Sequence, residues 1–309
     1  RCARALAPRS LAVRDCTGDM QLTERELAAT QLIVTTPEKW DVCTRKGSDT
    51  IAGEVGLLII DEVHLLNEDR GPVLEAIVAR TLRLVESSQQ MIRIVGLSAT
   101  LPNYLDVALF LRVNPATGLF YFGPAYRPVP LQQTFIGVNK PRPGERKGGG
   151  GGGERELMLE VTYEKALAAL RRGKQVMVFV HARNETVRTA RALNERARAR
   201  AEEGEFAPPE DSPRLGLARR DASKSRNPDL RTLFEAGFGT HHAGMLRADR
   251  GLTERLFSDG LIRVLVCTAT LAWGVNLPAH TVISKGTQIY DAQRGACVHP
   301  GARDVMQRL

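Results

Sequence analysis

The sequence predicts two α/β domains built on mostly parallel sheets, and three observations carry that prediction. The 309 residues amount to about two domains at roughly 150 residues each. The composition, 43% hydrophobic and 25% charged, is that of a globular chain rather than a disordered, collagenous or disulfide-stapled one. Strand-like and helix-like segments alternate in two blocks, separated by a stretch rich in proline and glycine. The longest apolar runs, such as Leu57–Ile60 and Val176–Val180, fall far short of the ~20 residues of a membrane helix, so no membrane association is expected.

In the first block, residues 31–35, 57–60 and 92–97 are short β-branched or leucine-rich runs, and residues 72–85 form an amphipathic stretch between two of them. Continuous apolar runs fit parallel strands covered on both faces. Each run ends in small or polar residues: Thr35-Thr36-Pro37, Asp61-Glu62 and Ser98-Ala99-Thr100. Ligands of open parallel sheets bind at the carboxyl ends of the strands, so the chemistry is expected there. From Gly118 to about Arg155 the alternation gives way to Pro124, Pro128, Pro130, Pro141, Pro143 and an unbroken glycine run over 148–153, which reads as a flexible linker. The second block predicts a helix near 157–172, a strand at Val176–Val180, an Arg/Ala/Glu-rich helix from about 185 to 203 and a strand at 262–267. Residues 207–227 are polar and contain proline, predicting a long surface loop. The expected domains are 1–121 and 156–309, with 122–155 as linker. Lys285 to Tyr290, then Asp291 to Gly295, then Ala296 to His299 read as a hairpin with a glycine-containing turn.

The formal charge is +8, and of the 43 basic residues 35 are Arg and eight are Lys. Planar guanidinium forks suit phosphates, which points to nucleic acid. Arginines alternating with acids on solvated helix faces would give the same sum. Cys2, Cys16, Cys43, Cys267 and Cys297 never form a C-x-x-C pair, so neither a disulfide framework nor a zinc site is indicated, and a reducing compartment is expected. The chain starts at Arg1 with no secretory pattern, the expectation for an internal piece of a larger protein.

The sharpest local signal is Leu57 to His64, where Asp61, Glu62 and His64 stand just past an apolar strand. In nucleoside triphosphate hydrolases an Asp so placed holds Mg²⁺, and the neighbouring Glu orients the attacking water. Taken alone, a capped turn with both acids merely solvated reads the same way. Gly96-Leu97-Ser98-Ala99-Thr100 approaches a serine-hydrolase elbow, but Thr100 stands where that pattern needs glycine. His241 and His242, adjacent on an extended strand, would point to opposite faces, so at least one is structural.

In order along the chain come Thr17-Gly18-Asp19, Thr35-Thr36-Pro37-Glu38-Lys39, Asp61-Glu62-Val63-His64, Ser98-Ala99-Thr100, Val178 to Arg183, His241-His242-Ala243-Gly244 and Thr268 to Asn276. This succession resembles the superfamily 2 DExH-box helicases, most closely their Ski2-like branch, over nearly the whole chain. The resemblance implies two RecA-like domains in tandem, the first incomplete at its N-terminus, with ATP and Mg²⁺ as cofactors. It also implies ATP-dependent 3′ to 5′ unwinding of DNA or RNA, other subunits of a multi-protein complex as partners, a part in DNA repair, and a nuclear or cytoplasmic location. By matching position, Asp61 and Glu62 would serve Mg²⁺ and water activation, and His64 would link them to Ser98 and Thr100, which couple nucleotide state to domain closure. Gly274, Asn276 and Gln307 would meet the nucleotide. Thr17, Gly18, Thr35, Thr36 and Pro37 in the first domain, and Arg183, Gly244, Thr268 and Thr270 in the second, would grip nucleic-acid phosphates. Hydroxyls and small residues suit contact without reading base edges, although each threonine is also an ordinary strand former. Tyr290 would stack on a base at the duplex junction, or else pack against its own domain.

Two parts of the family pattern are missing. No G-x-x-x-x-G-K-[ST] loop occurs, and of the arginine-bearing motif only Gln307 is present. Arginine fingers contribute roughly 10³ to 10⁵ in rate in related enzymes, so this chain alone is expected to be a poor ATPase. A non-catalytic nucleic-acid-binding or scaffold remnant is the alternative reading.

Overall fold

The computed structural model describes residues 11–16, 23–45, 50–67, 70–99, 101–138, 152–268, 271, 277, 279–286, 289–291 and 296–298. The chain divides into two compact units, Arg1–Gly123 and Pro124–Leu309.

In the first unit β1 (Val13–Cys16) leads through α1 (Glu24–Ala28) to β2 (Leu32–Thr35), and the two strands pair in parallel. After α2 (Pro37–Arg45) and α3 (Thr50–Gly53) comes β3 (Leu57–Ile60). A 3-10 turn (Val63–Asn67) and the long α4 (Gly71–Ser88) carry the chain to β4 (Arg93–Gly96), which pairs with β3 in parallel. Two short helices, α5 (Tyr104–Phe110) and α6 (Pro115–Gly118), follow. Pro72 fits the first turn of α4, where its missing N–H costs nothing, and Leu74, Ile77 and Val78 at helical spacing give the helix its buried stripe. Leu74 and Val78 of that stripe meet Ile60, Val63 and Leu111 in a small core. Coverage on both faces, expected for the run 57–60, does not hold for β3. Leu57 and Ile59 are each 50% exposed while Ile60 is buried, the alternation of a strand packed on one side.

The second unit is a three-layer sandwich. Its elements are α7 (Gly152–Leu170), β5 (Val176–Val180), α8 (Arg183–Ala199), α9 (Glu203–Phe206), α10 (Leu215–Lys224), α11 (Pro228–Glu235), β6 (Phe238–His241), α12 (Arg247–Ser258), β7 (Val264–Thr268) and β8 (Thr281–Ser284). The sheet runs β6-β7-β5-β8, all parallel. Successive side chains of a strand point to opposite faces. Accordingly Val176, Val178, Val180, Val264 and Val266 pack with α7 and α8, while Met177, Phe179, Leu265 and Cys267 pack with α10, α11 and α12. Every residue of β5 and β7 is buried.

The α/β architecture and the predominance of parallel strands are as the sequence predicts, with three local corrections. Residues 207–227 are not one loop: α10 lies within them and buries Leu215, Ala218 and Ala222. Those positions keep helical spacing, but alanines among arginines carry little hydrophobic signal. The helix expected to reach 203 ends at Ala199, where Ala201 turns left-handed (φ 53°), and α9 starts afresh. Helix α7 begins at Gly152, inside the glycine run and upstream of 157, with Glu154 in its first turn complementing the helix dipole. The predicted hairpin is present: β9 (Ile289–Asp291) pairs antiparallel with β10 (Ala296–Val298), with Tyr290 opposite Cys297. Among the described residues no helix is long and apolar enough to cross a membrane.

Candidate nucleotide and nucleic-acid sites

The apolar run of β3 ends at Ile60, and the chain then turns through the two acids. Asp61 accepts the Glu62 N–H at its Oδ1 (2.9 Å), and Glu62 takes φ 55°, a left-handed conformation that side-chain-bearing residues enter at a cost of about 1 kcal/mol or more. Backbone bonds hold the turn against the end of β4: Leu97 N–H donates to the Ile60 carbonyl (2.8 Å), and Val63 N–H to the Leu97 carbonyl (2.9 Å). Leu65 N–H closes the next turn on the Glu62 carbonyl (2.9 Å). At Gly96 a Cβ would lie 2.6 Å from Leu111 Cδ1, so a larger residue there would oblige the Leu111 side chain to shift.

This framework leaves Asp61, Glu62 and Ser98 exposed at the carboxyl end of the β3–β4 pair, while His64 is 1% exposed beneath them. Its Nδ1 lies 3.3 Å from Glu62 Oε2. The Val63 N–H joins the acidic turn to Leu97, the residue before Ser98, and His64 stands beside Glu62. Two accessible carboxylates, one of them beside a buried imidazole, fit a hard divalent cation and a water. Thr100 lies outside the described residues.

At the end of β2 the Thr35 hydroxyl donates to the Cys16 carbonyl (2.7 Å), tying β2 to β1, so its proton is committed within the sheet. Thr36 is exposed, and its Oγ1 accepts the Lys39 N–H (3.3 Å), capping α2 just before Pro37. Thr17 and Gly18 lie outside the described residues.

In the second unit, β5 passes through His181 and Ala182 into Arg183 at the start of α8. Beyond β6, Gly244 donates its N–H to His242 Nδ1 (3.1 Å). A Cβ at Gly244 would lie 3.2 Å from His242 Nδ1 and 3.3 Å from the Arg183 guanidinium, so the glycine lets these cationic and basic groups sit together. Burial pushes the His242 imidazole below the ordinary histidine range, with Arg183 adding to the effect. His241 points inward: it is 3% exposed and its Nε2 is 2.8 Å from Glu254 Oε1. Burial lowers its pKa more than Glu254 raises it. The histidine pair thus divides into one buried, carboxylate-bound ring and one beside Arg183, and among the described residues no cluster of three or more His, Cys, Asp or Glu side chains is placed to hold a metal ion.

Thr268 closes β7 and is buried. Tyr290 is placed at the centre of β9 by its pairing. Thr270, Gly274, Asn276 and Gln307 lie outside the described residues. Sequence reasoning gave no role to Glu254, or to Lys285, whose Nζ is 3.0 Å from Thr189 Oγ1 at the carboxyl end of the sheet. Both pairings span long sequence separations with no periodic signal to announce them.

Residues 2–107 match the family model described as DEAD/DEAH box helicase. Nearly the whole chain is similar to parts of much longer proteins. The chain is 60% identical over 306 residues to the DExH-box ATP-dependent RNA helicase DExH14 of Arabidopsis thaliana. It is 59% identical over 307 residues to Activating signal cointegrator 1 complex subunit 3 of Mus musculus, and 54% identical over 307 residues to the RQC trigger complex helicase SLH1 of Saccharomyces cerevisiae. Each match takes in 99% of this chain, but the chain spans only 14% of the first two relatives and 15% of the third.

Proposed function

We propose that this chain is part of an ATP-dependent 3′ to 5′ helicase, in which its first unit handles ATP with Mg²⁺ and both units hold a nucleic-acid strand by its phosphates. The observation that carries the reading is the turn after β3: Glu62 follows Asp61 in a costly left-handed backbone conformation, the turn is stitched to the segment bearing Ser98, and His64 lies behind Glu62. Bound Mg²⁺ would neutralise charge on the transferring phosphoryl group. Asp61 would hold that ion, and Glu62, beside His64, would align the attacking water. In the second unit Arg183 beside Gly244 supplies a guanidinium fork for a backbone phosphate.

Three relatives bear names containing helicase or complex-subunit designations, one of them RNA helicase. These names support RNA as the strand and membership of a larger assembly. DNA as a second substrate, a part in DNA repair and a nuclear or cytoplasmic location belong to the same reading. The chain alone lacks a G-x-x-x-x-G-K-[ST] loop and is proposed to turn over ATP poorly.

The test is ATP turnover, with and without single-stranded RNA, by the full-length protein that carries this segment. Glu62→Gln is expected to reduce turnover by about 10² or more, the usual contribution of a group handling the reacting proton. Unchanged turnover would remove Glu62 from the chemistry. Nucleic-acid binding with no turnover by the unsubstituted protein would identify a scaffold remnant instead.

A further inference from the structure

One buried ion cluster in the first unit has no part in the reading above. Asp41 on α2 is 3% exposed, and its carboxylate is held by Arg45 of the same helix and Arg80 of α4. Arg80 also donates to the main-chain carbonyls of Asp41 (3.2 Å) and Ala76 (3.2 Å), so it fixes the backbone of α2 and not merely one side chain. Near the start of the same helix, Glu38 pairs with Arg70 (3.1 Å), the residue immediately before α4. A buried ion pair contributes little net stability compared with apolar side chains of similar size, but it fixes relative orientation. Here the two helices so fixed lead to two different places. Helix α2 begins at the capped Thr36-Pro37 segment. Helix α4 begins hard against the turn that follows the acidic pair, since a Cβ at Gly71 would lie 2.1 Å from the Leu66 carbonyl oxygen.

We propose that Asp41 is a positioning residue that, with Arg80 and the Glu38–Arg70 pair, couples the acidic turn at 61–64 to nucleic-acid contact at Thr36-Pro37. The coupling rests on the function proposed above. A shift of the turn when nucleotide binds moves the start of α4, and the two clamps carry that displacement into α2. Conversely, a strand seated on Thr36-Pro37 biases the turn toward the arrangement that aligns water. The energy passes through two packed helices and their charged contacts, with no contact between Asp41 and either ligand.

The test uses the full-length protein that carries this segment and a 20-mer of polyuridine as probe. With Asp41→Asn, basal ATP turnover is expected to stay within about 2-fold, and affinity for the RNA within about 3-fold. Stimulation of turnover by RNA is expected to fall by about 10-fold, within the usual range of coupling between sites. Arg80→Lys keeps a charge but not the fork, and is expected to lose less. Arg70→Gln alters an exposed pair and leaves folding intact; its expected effect is a 2- to 3-fold loss of stimulation at an unchanged melting midpoint. Full stimulation in Asp41→Asn overturns the proposal, and so does equal loss of basal and stimulated turnover with Arg70→Gln behaving as wild type. If Asp41→Asn fails to fold, Arg70→Gln and Arg80→Lys decide between the same outcomes. Glu62→Gln separates the two readings: if it leaves turnover intact, the proposed function fails and this coupling with it. If Glu62→Gln abolishes turnover while Asp41→Asn keeps full stimulation, the coupling alone fails.

Discussion

At the scale of single residues, the second unit places His241 in an environment that disfavours its charged form. Its pKa lies below the ordinary 6.5 because burial outweighs the pull of Glu254. The unfolded chain therefore takes up a proton before the native one does, and stability conferred by the neutral ring is complete above about 6.5 and drains away as pH falls through the native value. Urea midpoints measured between pH 8 and pH 5 should decline with acidity, His242 contributing in the same sense. His241→Gln should flatten that decline at some cost in stability at pH 7, and an equally steep slope in the variant would rule this ring out as its source. Asp41 has the opposite balance. Burial raises its pKa, but Arg45 and Arg80 lower it further, so its contribution persists above the ordinary carboxylate value and is lost only in stronger acid.

At the scale of elements, α7, α8 and α9 are joined by a charged lattice. Glu160 receives Arg196 (2.8 Å) and Arg200 (2.7 Å), and Glu202 receives the Tyr163 hydroxyl (2.6 Å) and Arg171 (2.7 Å). The Arg200 guanidinium also lies over the Tyr163 ring, 4.9 Å from its centre. Tyr163 is fully buried, and burial together with Glu202 pushes its phenol well above the usual range, so it stays a donor. Tyr163→Phe should cost about 1 to 2 kcal/mol, the loss of one hydrogen bond to a charged acceptor, read as a lowered urea midpoint. Glu160→Gln should cost less than about 1 kcal/mol, and its effect should shrink further in high salt.

How much of this was legible in the sequence differs from element to element. Strands β3 and β5 were readable to the residue because uninterrupted apolar runs have few other uses. Helix α10 was not, since Ala218 and Ala222 bury well without being strongly hydrophobic. Among the candidate site residues, Asp61, Glu62 and Gly244 announce themselves by local pattern. The contacts Asp41–Arg80 and His241–Glu254 do not, because they depend on how distant elements pack.

At the scale of the whole chain, the two units are unequally built. Among the described residues the core cluster of the first unit is Ile60, Val63, Leu74, Val78 and Leu111 with partly buried neighbours, whereas the second has extensive fully buried clusters on both faces of a four-stranded sheet. Stability follows the apolar area removed from water, at roughly 25 cal/mol per Å². Native-state hydrogen exchange should therefore find the amides of β3 and β4 released well before those of β5 and β7. Simultaneous release of all four strands would contradict two separately stabilised units. The +8 charge bears on the whole molecule as well: under the proposed function, RNA affinity should weaken steeply as salt is raised.

The dihedral angle at position 62 carries a historical consequence. A glycine there would enter the same turn without strain, so a lineage released from nucleotide chemistry has an easy route to a sturdier protein: discard the carboxylate and relax. This sequence still bears the acid at the spot where it is most awkward to keep.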